Sequence, residues 1–298
     1  MSSDRREFLR QAATVTAGLG MGAFPEAAQQ RAVAMPASTT SEGPASEGSK
    51  VASTIDFAPG GYRFIPAVFQ YSAGVAALPG YEIQRVTFRN LVPLREGFRR
   101  IEQILTEAGR PLTALCACEL RSPAPFTEQG FRAFNEIYVV TLGKWGIYNN
   151  GVNPIARSNV CPEINPPAEP SFHAFSFTTK AERARPSFVN SGSGEAIEGD
   201  GKSTQIIRRG DKSADALRVK AQYVLGAMES RMATLGFHWS DVTATQVYTV
   251  HDLYPFLADE IVRRGAAGAG LTWHYCRPPI VDIEYEMDCR SVPVEKVI

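Results

Sequence analysis

The sequence predicts an α+β protein made of two fused units, each a mixed β-sheet with two helices on one face. Two observations predict it. Strand-like and helix-like stretches recur in the same order in each half. The halves also keep one register: Gly109 and Gly236, Leu115 and Val242, and Leu120 and Val247 all stand 127 positions apart. Helices segregated to one side of a sheet make an α+β layer. The other face of each sheet would stay bare, which predicts association through it.

The elements follow in order. "FQYSAGVAAL" is expected as the opening strand, ending at Ser72, Ala73 and Gly74. In "PLREGFRRIEQILTEAG", Leu94, Phe98, Ile101 and Leu105 step by four, three and four, which is one helical face. Gly109 supplies the stop. "LTALCACELR" alternates as a strand, which would put Cys116 and Cys118 on one face. "FTEQGFRAFNEIYVVTLG" is a second helix with Thr127 as N-cap. "NPIARSNV" and "SFHAFSFT" close the half as strands. The second half repeats this with "SFVNSGSGEA", the helix "ADALRVKAQYVLGAMESRMATLG", the strand "SDVTATQVYTV", the shorter helix "LYPFLADEIVRRG" and the final "LTWHYCRPPIVDIEYEMDC". The Gly-rich run Ser191 to Gly201 is expected as a flexible hairpin at a cleft mouth rather than a phosphate cradle.

The unit boundaries come from this pattern: residues 56–180 form the first unit and 181–298 the second. Ahead of them, "DRREFLR" pairs Arg5 and Arg6 before Phe8 and Leu9. A mildly apolar stretch and the small-x-small site Ala32-Val33-Ala34 follow. Residues 1–34 therefore predict a twin-arginine signal peptide and export to a bacterial periplasm. Residues 35–55 are a Ser/Pro/Glu-rich, flexible lead-in.

Composition narrows the function. A formal net charge of zero and a pI near 6.9 give no footprint for nucleic acid or an anionic membrane. No apolar run reaches the length of a membrane span. The four histidines have no i, i+4 pair, so no metal is expected. With no phosphate-binding or dinucleotide motif, no cofactor is expected either.

Arg157 is the residue that raises a question. It sits in an apolar run just after a proline, where a buried guanidinium needs an anion. Either an internal carboxylate meets it or a ligand carboxylate does, in which case the free protein would hold it facing a wet cleft. In "VDIEYEMDC", Asp282, Glu284, Glu286 and Asp288 alternate with apolar residues and would line one strand face. Such a face is solvated, or it crowds carboxylates in a cleft, where one stays protonated as an acid and another ionises as a base. Glu284 is the first candidate and Glu286 the second. "WHYCRPP" adds His274, Cys276 and Arg277. A histidine beside aromatics more often packs than reacts, and Cys276 has no identified base partner. Arg277 is a second candidate anion clamp.

These residues resemble the Rid family, also called YjgF or endoribonuclease L-PSP. The matches are the Ser-Gly after an early strand, "NEIY" at Asn135 to Tyr138, and Pro154-Ile155-Ala156-Arg157-Ser158. The resemblance covers most of residues 62–292, once per half. It implies a chorismate-mutase-like fold, a homotrimer with sites between units, and hydrolysis of enamines and imines to ketoacids and ammonia. Arg157 would then grip a substrate carboxylate, with Ser158 and Tyr138 beside it, and Glu284 would orient water. Each half departs from the pattern. The first has no carboxylate near Phe172, and the second offers Leu271, Thr272 or Trp273 where Arg157 should repeat. The expected function is thus an exported deaminase for a small carboxylated enamine, imine or related unsaturated acid. The "CRPP…IVDIE" run also looks like the chorismatase branch, so an enzyme acting on chorismate is an alternative, as is a non-catalytic binder of small acids.

Overall fold

The computed structural model describes residues 53–197 and 205–298. The expected signal segment, most of the lead-in and the tip of the Gly-rich run lie outside these.

The first unit begins with a long strand, β4 (Tyr81–Pro93), after three short ones, β1 (Ile55–Phe57), β2 (Tyr62–Ile65) and β3 (Gly74–Ala77). It continues with α1 (Leu94–Glu107), β5 (Leu115–Arg121), α2 (Glu128–Lys144), β6 (Ala156–Pro162) and β7 (Ser171–Lys180). The second runs through β8 (Phe188–Gly194), a hairpin of β9 (Ala196–Ile197) and β10 (Gln205–Ile206), and α3 (Ala214–Leu235). After β11 (Ala244–Tyr248) comes a short helical segment, α4 (Tyr254–Phe256), and a π turn at Leu257–Val262. Then follow β12 (Leu271–His274), β13 (Cys276–Arg277), β14 (Glu286–Ser291) and β15 (Val294–Val297).

Both units have one topology. In the first, β4 pairs antiparallel with β7, β7 antiparallel with β5, and β5 parallel with β6. In the second, β8, β14, β11 and β12 repeat that order and those directions. The register repeats as well, because β5 ends at Arg121 and β11 at Tyr248, again 127 positions apart. One expected helix start and one helix end hold. Thr127 Oγ1 accepts from the Gly130 amide at α2, and Gly236 ends α3 with a left-handed φ of 83°.

The opening strand is where the structure differs. "FQYSAGVAAL" contributes β3, but β3 pairs with β8 of the other sheet. The first unit starts instead at β4, which joins α1 directly. Sheet one is therefore ordered β13-β6-β5-β7-β4-β15 and sheet two β1-β2-β3-β8-β14-β11-β12. Each sheet thus takes in a segment from the far end of the chain.

The helix-free faces are not bare. Tyr62, Phe64 and Val75 from sheet two pack on Ile83, Cys116, Ala117 and Ala156 from sheet one. Helices α1 and α2 cover the outer face of sheet one, and α3 covers that of sheet two. Each sheet is buried on both sides, so the expectation of uncovered faces is corrected: they cover each other within one chain. A register shift between Leu115 and Ala117 also corrects the cysteine expectation. The bulge puts Cys116 between the sheets and Cys118 under α2, on opposite faces. All five cysteines are free and buried.

Candidate active site at the seam between the units

The sheets meet where β6 runs beside β8. The Arg157 amide donates to Ser191 Oγ at 3.0 Å, and Ser72 forms a bridge with Ala156. Strand alternation sends Arg157 toward α2 and Ser158 toward β8.

Arg157 is 3 % exposed, so the expected wet setting is corrected. Its Cζ stands 4.8 Å from the Tyr138 ring centre and 5.2 Å from that of Tyr71, with Phe131 and Phe134 completing an aromatic box. Cation–π attraction holds the charge there. Nη1 donates to Asn135 Oδ1, while Nη2 has no partner and no carboxylate of a described residue lies within ion-pair distance. Burial lowers its pKa, against the pull of Tyr138 and Tyr71. The internal-salt-bridge answer to the Arg157 question is therefore not the one the fold uses.

Glu286 approaches the same seam from the second unit. A Cβ placed on Gly192 would stand 2.2 Å from Glu286 Oε1 and 3.2 Å from Ser158 Cβ. Glycine is what lets the carboxyl lie against Ser158. Burial pushes the Glu286 pKa well up, and Asp288 adds to it, while the Arg157 and Arg121 charges oppose. Both effects favour its protonated form. A narrow cavity is lined by Cys118, Arg157, Ser158, Asp288 and Arg290, with room for something the size of a water.

The expected carboxylate face is shorter than the sequence implied. Strand β14 begins only at Glu286, because residues 280–283 turn and Asp282 takes a positive φ of 73°. Glu286 and Asp288 point between the sheets with Arg290. Asp288 accepts from Gln246 at 2.7 Å and Tyr248 at 2.8 Å. Glu284 precedes the strand and is held by His251 Nε2 at 2.7 Å and Lys212 Nζ at 3.0 Å. Burial would raise its pKa, but these bonds outweigh it and the net shift is down. Glu284 is a clamped carboxylate whose charged form its partners favour, and Glu286 is a buried one whose protonated form is favoured.

The other candidates are placed as follows. Arg277 has its fork filled by Glu163 at 2.7 and 3.0 Å. Burial raises the Cys276 pKa, which keeps it a thiol. His274 stacks on Tyr248 and bonds Gln246, and burial with the Arg121 charge lowers its pKa to about 4. Tyr138 is fully buried in the arginine box, and Ser158 Oγ is buried without a partner. Sequence reasoning missed Gly192, His251, Lys212 and the fully buried pair Glu195–Lys220. The Ser-Gly-Ser-Gly-Glu run was the signal for Gly192 and Glu195.

The register shows how the two halves differ. Position 157 pairs with Cys118, and the repeat of that pair is Thr245 with Leu271. Position 286 pairs with Tyr248, and its repeat is Arg121 with Ser171. The first unit has arginine but serine at the acid position; the second has the acid but leucine at the arginine position. The surviving residues come to the two sides of β6, Arg157 under α2 and Glu286 against Ser158 between the sheets.

Two tandem units of one strand order, with helices on their outer faces, make this a two-unit α+β protein. A family model described as 2-aminomuconate deaminase CnbZ matches residues 54–296, and the chain belongs to that family. The 2-amino-5-chloromuconate deaminase of Comamonas testosteroni is 50 % identical over 245 residues, covering 81 % of this chain and 98 % of that protein. Among solved structures, a chorismatase is 13 % identical over 74 % of this chain and 77 % of its own, with a TM-score of 0.43. The YjgF gene product of E. coli is 18 % identical over 36 % and 80 %, with a TM-score of 0.27.

Proposed function

We propose that the chain is a deaminase that hydrolyses the amino group from a 2-aminomuconate-type acid, a six-carbon diene with a carboxylate at each end. The observation that carries this reading is a buried arginine of one unit, Arg157, whose Nη2 has no partner, with the buried acid Glu286 of the other unit near enough to feel its charge. Membership of the 2-aminomuconate deaminase family and the similarity to the Comamonas testosteroni enzyme support the substrate class.

Arg157 offers its unpartnered Nη2 to one carboxylate. Neutral Glu286 gives its proton to the carbon next to the amino-bearing carbon, and the enamine becomes an iminium. Water adds to the iminium carbon and Glu286 takes up a proton from it. Glu286 then protonates the nitrogen of the carbinolamine. Ammonia leaves as the carbonyl forms, and the hydroxyl proton returns to Glu286. The acid is regenerated and the net reaction is enamine plus water to ketoacid plus ammonia. Glu284, anchored by His251 and Lys212, orients the water. A neutral acid suits the first step, since an ionised carboxylate has no proton to give.

The test is ammonia release from 2-aminomuconate and 2-amino-5-chloromuconate by the purified protein. Glu286→Gln should lose about a hundredfold or more in turnover, because it removes the general acid. An unaltered rate in that variant, or no ammonia from either compound, would reject the reading.

Export is proposed with it. The family match starts at residue 54, which leaves the twin-arginine segment outside the catalytic body, as a leader would be. Arg5→Lys with Arg6→Lys should strand the precursor in the cytoplasm; normal periplasmic accumulation would reject it. A trimer is also proposed. Since the sheet faces cover each other, it would use outer surfaces such as the exposed Ile137 and Val140 of α2. Light scattering should give about three times the chain mass, and a monomer at micromolar concentration would reject it.

A further inference from the structure

We propose that the cavity between the sheets is a binding site for one resident water, held by Ser158 of the first unit and by Arg290 and Asp288 of the second. The inference concerns how the two units are joined, and it stands whether or not the deaminase reading does.

Both units build the cavity. Ala117, Ala156 and Ser158 come from the first, and Val189, Asp288 and Arg290 from the second. Ala117 and Ala156 belong to the core between the sheets, and Val189 packs against it. Strand alternation puts Ser158 on the same face as Ala156, and Arg290 on the same face as Asp288. The space takes one molecule the size of a water.

Two polar atoms on residues of this lining are buried without a hydrogen-bond partner, Ser158 Oγ and Arg290 Nη1. The other donors of the Arg290 fork, Nε and Nη2, are spent on Glu295 at 2.8 and 3.3 Å. Asp288 accepts from Gln246 on one oxygen and from Tyr248 on the other, which leaves each oxygen a further lone pair. Buried polar groups are as a rule satisfied, by protein or by ordered water, and a water needs two to four such partners. Here it accepts from Arg290 Nη1 and donates to Asp288 and Ser158 Oγ. A neutral molecule suits the lining better than an ion. A chloride would lie against Asp288 and Glu119, and a sodium ion against Arg290. Ser158 Oγ has no direct bond across the seam, so the water supplies the one that joins the units at this point. The same serine lies beside the Glu286 carboxyl, across the space that Gly192 leaves. The water thus backs one wall of the seat of that acid.

A high-resolution crystal structure of the wild-type protein tests this directly. The expected result is one density peak within hydrogen-bond distance of both Ser158 Oγ and Arg290 Nη1. A cavity without density, or a peak that misses either atom, overturns the proposal. Ser158→Val gives an independent reading, because its methyl groups replace the hydroxyl and take the space of the water. The peak should vanish and the melting temperature should fall, since Arg290 Nη1 is then left unpaired. A dry cavity would respond in the opposite sense, because the added methyl group would fill it. A variant that melts above wild type therefore overturns the proposal. If Ser158→Val does not fold, the wild-type density decides alone.

Discussion

Gly192 and Glu286 stand so close that a methyl group on residue 192 would lie 2.2 Å from Glu286 Oε1 and 3.1 Å from its Cδ. The acid of one strand occupies space that its neighbour leaves by having no side chain. Gly192→Ala should push the carboxyl out of that seat. The colliding atom is the end of a flexible side chain, so the fold should survive with stability changed by about 1 kcal/mol. Turnover should fall about tenfold or more, since a misplaced acid donates poorly. Turnover equal to wild type would show that Glu286 does not need this seat.

Arg157 was recognisable as an anion clamp because it follows a proline in an apolar run. Of its surroundings only Tyr138 was expected, from the family resemblance; Tyr71, Phe131 and Phe134 were not, since they come from two other segments. Arg157→Met should lose about a hundredfold in affinity for muconate, which has both carboxylates and no amino group. It removes a cation from four rings and a bond from Asn135, so it should also cost about 1–3 kcal/mol of stability. Thermal melts and ligand titration on the same sample separate the two effects. Full binding with a large stability loss would make Arg157 a structural residue.

How much could be read in advance depends on the range of the interaction. The repeat was legible because helix periodicity and the 127-residue register are local signals. The two missing half-sites were legible as well, one lacking Arg157 and the other lacking the acid. Their placement on either side of β6 was not, because it depends on how β6 docks beside β8. The choice between Glu284 and Glu286 also failed to follow from alternation. That choice is made by the turn at Asp282 and by the His251 and Lys212 contacts, which are long-range. The start of the first unit was misplaced for a related reason: "FQYSAGVAAL" is strand-like on its own, and nothing local says which sheet it joins.

Glu286 predicts a pH signature. Its pKa is raised by burial first and by Asp288 next, with Arg157 and Arg121 opposing and Glu195 assisting. The folded state therefore binds this proton more tightly than the unfolded chain, whose glutamates titrate at about 4.3. The stability contribution is fully present below that value and is lost as pH rises through the folded pKa. Glu286→Gln should leave stability unchanged at about pH 4 and raise it at about pH 8. Wild-type turnover should fall with rising pH as the acid ionises. A rate that climbs steadily with pH would assign Glu286 the role of base instead.

Glu195 and Lys220 form the most buried ion pair among the described residues, both at 0 % side-chain exposure and 2.9 Å apart. The carboxylate does more than pair. Its two oxygens accept from the Glu284 and Tyr285 amides at 2.7 and 3.0 Å, so it fixes the chain just where Glu284 and Glu286 diverge. Lys220→Met would strand a buried charge and should cost roughly 3–5 kcal/mol. Adding Glu195→Gln removes that charge, and the double variant should recover most of the loss. A glutamine presents one acceptor oxygen where the carboxylate presented two, so one of the two amides loses its partner. Turnover in the double variant should therefore stay about tenfold low even where urea melts show stability restored. A double variant with both stability and turnover restored would show that the pair only fills space, and that the turn at Glu284 holds without it.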